Sequence, residues 1–222
     1  MKYTGMTICK SMLCGAVMIA ALVVGSGDAH AALGVDFDAP TSDNLVAGSD
    51  GIAGWSFTAN RDLYVTALGI YDHEPDRKLE GSHVISLWKS NGTLITSVSF
   101  TEPIYPHSQE LVNGKYHMIN VGATLQAGQT YVIAATMGTS DAFAFFNGAS
   151  AADHNLQFNS NLTYGNAVYS DTLTGMPGID PLSEYGNFGA NIDVVPTPIP
   201  AAAWLLGSGL LGLVGIRRRT GK

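Results

Sequence analysis

The stretch His83-Val84-Ile85-Ser86-Leu87-Trp88-Lys89, then Ser90-Asn91-Gly92-Thr93, then Leu94-Ile95-Thr96-Ser97-Val98-Ser99-Phe100, has the pattern of a β-hairpin. Apolar and polar residues alternate with the period of two that a half-buried strand requires. The Asn-Gly pair favours the positive φ angles of a two-residue type I′ turn. That turn predicts three facing pairs: Lys89 with Leu94, Leu87 with Thr96, and Ile85 with Val98.

The two faces of this hairpin are predicted to differ. One face carries the apolar residues Ile85, Leu87, Leu94, Val98 and Phe100. The other face is mixed and includes Trp88. Because side chains alternate across a strand, the first face should meet the core and Trp88 should lie opposite it.

The same short-period pattern recurs outward from the hairpin. Further strands are predicted at Gly54–Thr58, Leu63–Tyr71, Tyr116–Val121, Thr130–Met137, Ala142–Phe146 and Phe188–Val194, with two short ones near Leu156–Phe158 and Ala167–Tyr169. No long amphipathic helix is predicted in between. The fold class that follows is all-β, with residues 32–194 forming one immunoglobulin-like or jelly-roll-type antiparallel β-sandwich.

A local motif supports a sandwich. Leu125-Gln126-Ala127-Gly128-Gln129-Thr130-Tyr131 places a tyrosine just after a glycine turn, at the start of an apolar strand. This is the setting of a tyrosine corner, in which the hydroxyl bonds to upstream backbone. A half-buried strand tyrosine is the alternative, and in either case Tyr131 is structural.

Four spaced motifs carry a family resemblance. Gly54-Trp55-Ser56-Phe57, Val65–Asp72, Ile85–Trp88 with Gly92-Thr93-Leu94, and Leu125–Tyr131 resemble a domain of unknown function designated 4082, over about residues 50–137. The resemblance implies an immunoglobulin-like, non-enzymatic extracellular module. It supplies no catalytic residues.

The first 31 residues predict a signal peptide. Lys2 and Lys10 form a basic start, Met12–Val24 is an apolar run, and Ala29-His30-Ala31 offers the small residues that a signal peptidase reads. An N-terminal membrane anchor is the alternative. Both cysteines lie in this segment, so the exported part is expected to form no disulfide.

The last 28 residues predict a C-terminal membrane-spanning segment with a spacer before it and a basic tail after it. Val195-Pro196-Thr197-Pro198-Ile199-Pro200 reads as a stiff spacer, because Pro196, Pro198 and Pro200 lack amide protons and are expected not to extend a strand. Residues 201–216 carry no charge and predict a transmembrane helix of about 24 Å. Trp204 falls near one interface, and Arg217, Arg218 and Arg219 begin a basic cytoplasmic tail, residues 217–222.

This order of parts resembles the PEP-CTERM protein-sorting signal. The signature expects a glutamate between two prolines, whereas Thr197 and Ile199 fill those spaces here, which is closer to the Val-Pro-Leu-Pro-Ala variant. The resemblance implies an exosortase-type sorting enzyme as a partner, a transient stay in the inner membrane, and final display at the cell surface or in the extracellular matrix. A plain single-pass anchor is the alternative.

The charge balance argues against nucleic acid as a partner. Residues 32–200 keep five of the 11 Lys and Arg residues and 17 of the 18 Asp and Glu residues, which gives a net charge of −12. Such a surface repels phosphate backbones.

Candidate chemistry is sparse, and no enzyme is predicted. No G-x-S-x-G motif occurs, and the histidines are isolated in the sequence. Alternate acidic residues at Asp72, Glu74 and Asp76 offer hard oxygen ligands for a structural calcium ion, although an acidic loop is more often simply solvated. Trp88, Trp55 and Tyr116 are candidates for stacking on sugars, with core packing as the competing role.

These observations predict an exported structural or interaction protein. The alternative is a carbohydrate-binding module of the exopolysaccharide matrix. A secreted hydrolase is a third hypothesis, which requires a histidine and an acid to converge near the loops between Gly138 and Leu182.

Overall fold

The computed structural model describes residues 31–46, 50–73, 78–101, 111–138, 141–181 and 186–197. The predicted signal peptide, the membrane helix and the basic tail lie outside these residues, except Ala31. The strands are β1 (Ala32–Leu33), β2 (Val35–Asp36), β3 (Leu45–Val46), β4 (Ile52–Ala59), β5 (Leu63–Tyr71), β6 (His83–Lys89), β7 (Leu94–Phe100), β8 (Tyr116–Leu125), β9 (Thr130–Thr136), β10 (Phe143–Phe146), β11 (Gln157–Phe158), β12 (Leu162–Ser170), β13 (Gly178–Ile179), β14 (Gly186–Asn187) and β15 (Ala190–Pro196).

Two larger antiparallel sheets carry the fold. One has the order β1-β15-β5-β8, and the other has the order β13-β12-β4-β9-β6-β7. Two small sheets, β14-β10-β3 and β11-β2, lie beside them. The prediction of an all-β protein built from antiparallel sheets is therefore confirmed.

The two larger sheets share one hydrophobic core, which makes the fold β-sandwich-like. Trp55 and Ile133 enter the core from the six-stranded sheet, and Leu68 and Ile192 enter it from the four-stranded sheet. The indole nitrogen of Trp55 donates a 3.0 Å hydrogen bond to the carbonyl oxygen of Ala190 on the other sheet. A buried indole N–H needs such a partner, so this bond also fixes how the sheets meet.

The hairpin forms, but its turn differs from the prediction. Leu87 faces Thr96 and Ile85 faces Val98 as predicted, whereas Leu94 faces Trp88 and not Lys89. The Gly92 amide bonds the Lys89 carbonyl oxygen at 2.9 Å, and Gly92 has a φ of +87° while Asn91 has no positive φ. This is a three-residue loop with a bulge, not a type I′ turn.

The bulge moves Leu94 to the other face of the sheet. Ile85 and Leu87 are buried, as predicted, but Leu94 is 52% exposed. A shift of one residue reverses the side to which a strand residue points. Leu94 is therefore not a core residue.

The region from Gly138 to Leu182 holds more structure than the sequence predicts. A short helix, α1 (Gly148–Asp153), begins after Asn147, whose side chain accepts hydrogen bonds from the backbone N–H groups of Ala149 and Ser150. Outside this region, near the start of the domain, a 3₁₀ turn (Ser42–Asn44) precedes β3. Strand β12 is also longer than predicted and pairs with β4 along its length.

The last strand extends past the predicted domain end at residue 194. Val195 pairs with Tyr64, and Pro196 pairs with Leu63. A proline is tolerated at the end of a strand, where its missing N–H removes no interior ladder bond. The prediction that Pro196 cannot extend a strand is therefore wrong.

Candidate functional site

Two buried histidine–aspartate pairs lie at one end of the domain, where β5, β7 and β9 finish and β6, β8 and β10 begin. We call this the loop end and define it by four residues: Asp72, His83, His117 and Asp141. All four are nearly or fully buried. Sequence spacing did not reveal either pair, because the partners are 58 and 45 residues apart.

His83 is held at both ring nitrogens. Nδ1 is 2.7 Å from the carbonyl oxygen of Thr136, and Nε2 is 2.9 Å from Oδ2 of Asp141. A carbonyl oxygen can only accept, so Nδ1 must donate. An ionised carboxylate can also only accept, so Nε2 donates as well if Asp141 carries its charge.

The surroundings of Asp141 favour that charge. Burial alone would raise the pKa of this carboxyl, but hydrogen bonds from His83 and from the backbone N–H groups of Glu80 and Gly81 outweigh burial and lower the pKa. The two backbone donors lie 2.8 and 2.6 Å from the carboxylate oxygens. A Cβ at Gly81 would lie 3.1 Å from Oδ2, so a side chain here would require a small shift of Asp141 or of the loop. The pair is thus a buried histidine–carboxylate contact in which three N–H donors favour the ionised form of Asp141.

The second pair lies within the four-stranded sheet, because Asp72 follows β5 and His117 is on the neighbouring strand β8. His117 Nε2 lies 3.0 Å from Asp72 Oδ2, and the His117 ring lies 6.5 Å from the ring of Phe100 on β7. Burial and then the charge of Asp72 raise the pKa of Tyr71 to about 12. Both pairs are buried internal contacts: His83–Asp141 joins β6 to the loop before β10, and His117–Asp72 joins β8 to the end of β5.

Only one of the three predicted calcium ligands lies within the residues that the structure describes. Asp72 is buried and engaged with His117, while Glu74 and Asp76 fall outside the described residues. Among the residues that are described, no three His, Cys, Asp or Glu side chains come close enough together to hold a metal ion.

The three candidate sugar platforms are buried. Trp55 and Tyr116 are 0% exposed, and Trp88 is 7% exposed. Trp88 does lie on the face opposite the core, but it packs there with Ile52, Val132 and Val168, and Met176 packs against this cluster. Each ring is used for packing in the folded domain, which favours the competing role of core packing over stacking on sugars.

A further cluster, centred on Lys115, was not found from sequence. Lys115 Nζ lies 2.7 Å from Oδ1 of Asp36, contacts the carbonyl oxygen of Phe37 and sits 5.3 Å from the centre of the Phe37 ring. Asn113 donates a 3.0 Å hydrogen bond to Oδ2 of Asp36. These contacts tie β2 to the turn before β8, and nothing in the one-dimensional spacing signals them.

The opposite end of the domain is where the chain leaves β15. We call it the exit end and define it by the turns Asn60–Asp62 and Gln126–Gln129 together with Thr197. A depression of about 460 Å³ lies here, lined by Asp62, Leu63, Thr124, Leu125, Gln126, Ala127, Gln129 and Thr197. The hydroxyl of Tyr131 accepts a 2.8 Å hydrogen bond from the amide of Gln126, one of these lining residues, which confirms the predicted tyrosine corner.

Only part of the predicted sorting motif and membrane anchor lies within the described residues. Val195 and Pro196 belong to β15, whereas Pro198, Pro200, Trp204, Arg217, Arg218 and Arg219 lie outside the described residues. Within the described ranges, no helix has the length and apolar character needed to cross a membrane.

Comparison with known proteins gives one family. The model of a domain of unknown function (DUF4082) matches residues 38–180. The match extends beyond the motifs quoted above and takes in α1 and β12. No curated protein sequence matches the chain.

Proposed function

The chain belongs to the family of the domain of unknown function DUF4082, and we propose that in this protein the domain is a non-catalytic β-sandwich interaction module on an exported surface or extracellular-matrix protein. Its finer architecture is a single immunoglobulin-like or jelly-roll-type sandwich. The shared core of the two larger sheets and the tyrosine corner at Tyr131 support this architecture.

One observation carries the non-catalytic part of the proposal. The histidines and aspartates of the loop end could in principle act as acid–base catalysts. Instead they form buried contacts with each other, in the pairs His83–Asp141 and His117–Asp72. A general base must reach the proton that it removes. A secreted hydrolase is the weaker proposal for this reason.

The exported part of the proposal rests on the sequence at both ends of the chain. In this proposal a signal peptidase removes residues 1–31, the 201–216 helix holds an inner-membrane intermediate, and an exosortase-type enzyme acts near Val195–Pro200. The chain leaves the domain at the exit end, so that end faces the membrane.

The intact mass of the protein recovered from the surface or medium of its native host tests this proposal. We expect a species that lacks the first 31 or so residues and the segment from 201 to 222. A species that retains the C-terminus at Lys222 would instead make the tail a plain membrane anchor.

Carbohydrate binding in the exopolysaccharide matrix remains the alternative function. Tyr64 is an aromatic side chain with an exposed face, at 41% exposure, and it lies on β5 close to the exit end. Co-sedimentation of the protein with host exopolysaccharide, compared for the wild type and Tyr64→Ala, tests the alternative. Loss of binding in the variant would favour a sugar-binding module, and no binding by either protein would reject it.

A further inference from the structure

The outer face of strand β8 carries a row of exposed, uncharged residues. Asn120, Gly122 and Thr124 are exposed, whereas the two residues between them pack against the core. Side chains alternate across a strand, so these three share the face that points away from the core. Tyr64 on β5 faces Thr124 across the ladder and is 41% exposed. This face therefore combines an accessible aromatic ring with small uncharged neighbours.

Gly122 leaves room for the end of the Tyr64 side chain. A Cβ at Gly122 would lie 2.7 Å from the phenol oxygen of Tyr64 and 3.7 Å from Cζ, the ring carbon that bears this oxygen. The φ angle of Gly122 is not positive, so the backbone conformation does not require a glycine. A glycine inside a strand weakens it and often marks a place where another group approaches closely. Here the glycine allows the phenol end to lie over β8.

The depression at the exit end continues this row. Thr124 is part of its lining, together with Gln126 and Gln129 from the adjoining turn. The lining thus offers hydroxyl and carboxamide groups and one carboxylate, that of Asp62, whose Oδ1 accepts a hydrogen bond from the backbone of the neighbouring turn. Two residues along a strand span about 6.8 Å. The depression therefore begins about one such step from Gly122.

We propose that this face of β8 and the depression together bind a neutral polysaccharide chain. The Tyr64 ring is the stacking surface, and the depression supplies the hydrogen bonds to sugar hydroxyls. Aromatic rings stack on the apolar faces of sugars, and a few polar groups fix the orientation of a bound ligand. The inference rests on the proposed function, because it names the ligand of the interaction module and assigns the site that the carbohydrate-binding alternative requires.

The charges of the domain favour a neutral ligand over an anionic one. Neither β8 nor the described residues that line the depression include a lysine or an arginine. Residues 32–200 carry a net charge of −12. An anionic polymer would therefore gain no ion pair at this site and would be repelled by the domain as a whole.

Affinity electrophoresis of the purified full-length chain in mild detergent tests the ligand class. The native gels contain hydroxyethylcellulose, galactomannan or dextran as neutral polymers, and alginate as an anionic polymer. We expect slower migration in at least one neutral gel and unchanged migration in alginate. Unchanged migration in every neutral gel, or a stronger effect in alginate than in any of them, would overturn the proposal.

A double-mutant cycle tests the position of the ring. Gly122→Ala should push the phenol end aside and weaken binding about two- to ten-fold, as expected for loss of an aromatic contact. Tyr64→Phe removes the oxygen that the new methyl group would meet and leaves Cζ at 3.7 Å, an ordinary contact distance. We therefore expect Gly122→Ala to have no effect in the Tyr64→Phe background. An equal loss in both backgrounds would overturn the assigned role of the ring.

Gly178→Ala on β13 is the matched control for the cycle. Its added Cβ would meet no atom within 4 Å, its φ is not positive, and it lies on the other large sheet. The control should bind like the wild type. A loss equal to that of Gly122→Ala would show that the effect does not come from the Tyr64 ring.

The intact mass of the native protein separates this inference from the rest of the proposed function. A protein that lacks both terminal segments but binds none of the neutral polymers overturns the sugar site and keeps the exported module. A protein that binds a neutral polymer but retains Lys222 keeps the sugar site and overturns the sorting proposal.

Discussion

At the scale of single residues, Asp141 links three parts of the chain with one carboxylate. It accepts hydrogen bonds from the His83 ring and from the backbone N–H groups of Glu80 and Gly81. These donors belong to β6 and to the loop that leads into it. An asparagine here would offer one oxygen in place of two and would turn its own N–H₂ group towards a donor.

We predict that Asp141→Asn lowers the free energy of unfolding by about 3–5 kcal/mol at neutral pH, as expected when one partner of a buried ion pair is removed. Chemical denaturation measures the loss. Asp153→Asn, at an exposed position in α1, is the control and should stay within about 0.5 kcal/mol of the wild type.

The pH dependence of that loss has a defined sign. The pKa of Asp141 is lowered by folding, so its contribution is present above the unfolded-state pKa of about 3.9 and disappears as pH falls through the lower folded-state pKa. The difference between the wild type and Asp141→Asn should therefore shrink in acid. A difference that grows below pH 4 would contradict the assigned ion pair.

Residue types alone could not predict these pairs. His83 and His117 look isolated in the sequence because their partners come from other loops, and only the strand order brings them together. The burial of the aromatic candidates could not be predicted for a related reason. Alternation tells which side of a strand Trp88 is on, but not whether a loop residue such as Met176 covers it.

At the scale of elements, the β6–β7 hairpin shows how one residue in a turn changes a strand face. Asn-Gly suits a type I′ turn, yet the chain closes with a three-residue loop that ends at Gly92. The strands and their central pairs follow from the sequence pattern. The turn does not, because several loop lengths accept the same Asn-Gly pair.

We predict that Gly92→Ala destabilises the protein by about 1–2 kcal/mol, the cost of placing an L-residue in the left-handed region. A Cβ at Gly92 would meet no atom within 4 Å, so the cost is conformational and not steric. Thermal and chemical unfolding measure it. Gly178→Ala in β13 is the matched control, because its added Cβ is equally unhindered and its φ is not positive.

The control variant should be neutral or slightly stabilising, since it only restricts the unfolded chain. Equal destabilisation by both variants would show that the effect does not come from the φ angle of Gly92. A stable Gly92→Ala would argue for a turn of a different type.

At the scale of the whole molecule, most strands that are neighbours in the sheets are distant in the chain. Strand β4 lies between β12 and β9, and β15 lies between β1 and β5. The sequence predicts most of the strands but not this order, since periodicity reports burial and says nothing about which strand is the neighbour. In the small sheets β10 and β11 were predicted, whereas their partners β2, β3 and β14, and also α1, were missed because each is too short for a clear period.

Such non-local pairing predicts slow folding. We expect refolding of the chain from urea to take milliseconds to seconds. Stopped-flow fluorescence can follow it, because Trp55 and Trp88 both become buried. Dithiothreitol should not change the rate, since both cysteines lie in the first 31 residues. A submillisecond main phase, or a rate that depends on reductant, would contradict this description.

The pairing of β1 with β15 has a consequence for how such a domain can be rearranged. Ala32 faces Val194 across the ladder, so the two ends of the domain lie side by side on adjacent strands, which are about 5 Å apart. A short linker could join them and new ends could be opened at an exposed turn, giving a circular permutant with the same strand neighbours. By the same geometry, the domain could be inserted into a surface loop of an unrelated host protein without forcing that loop apart.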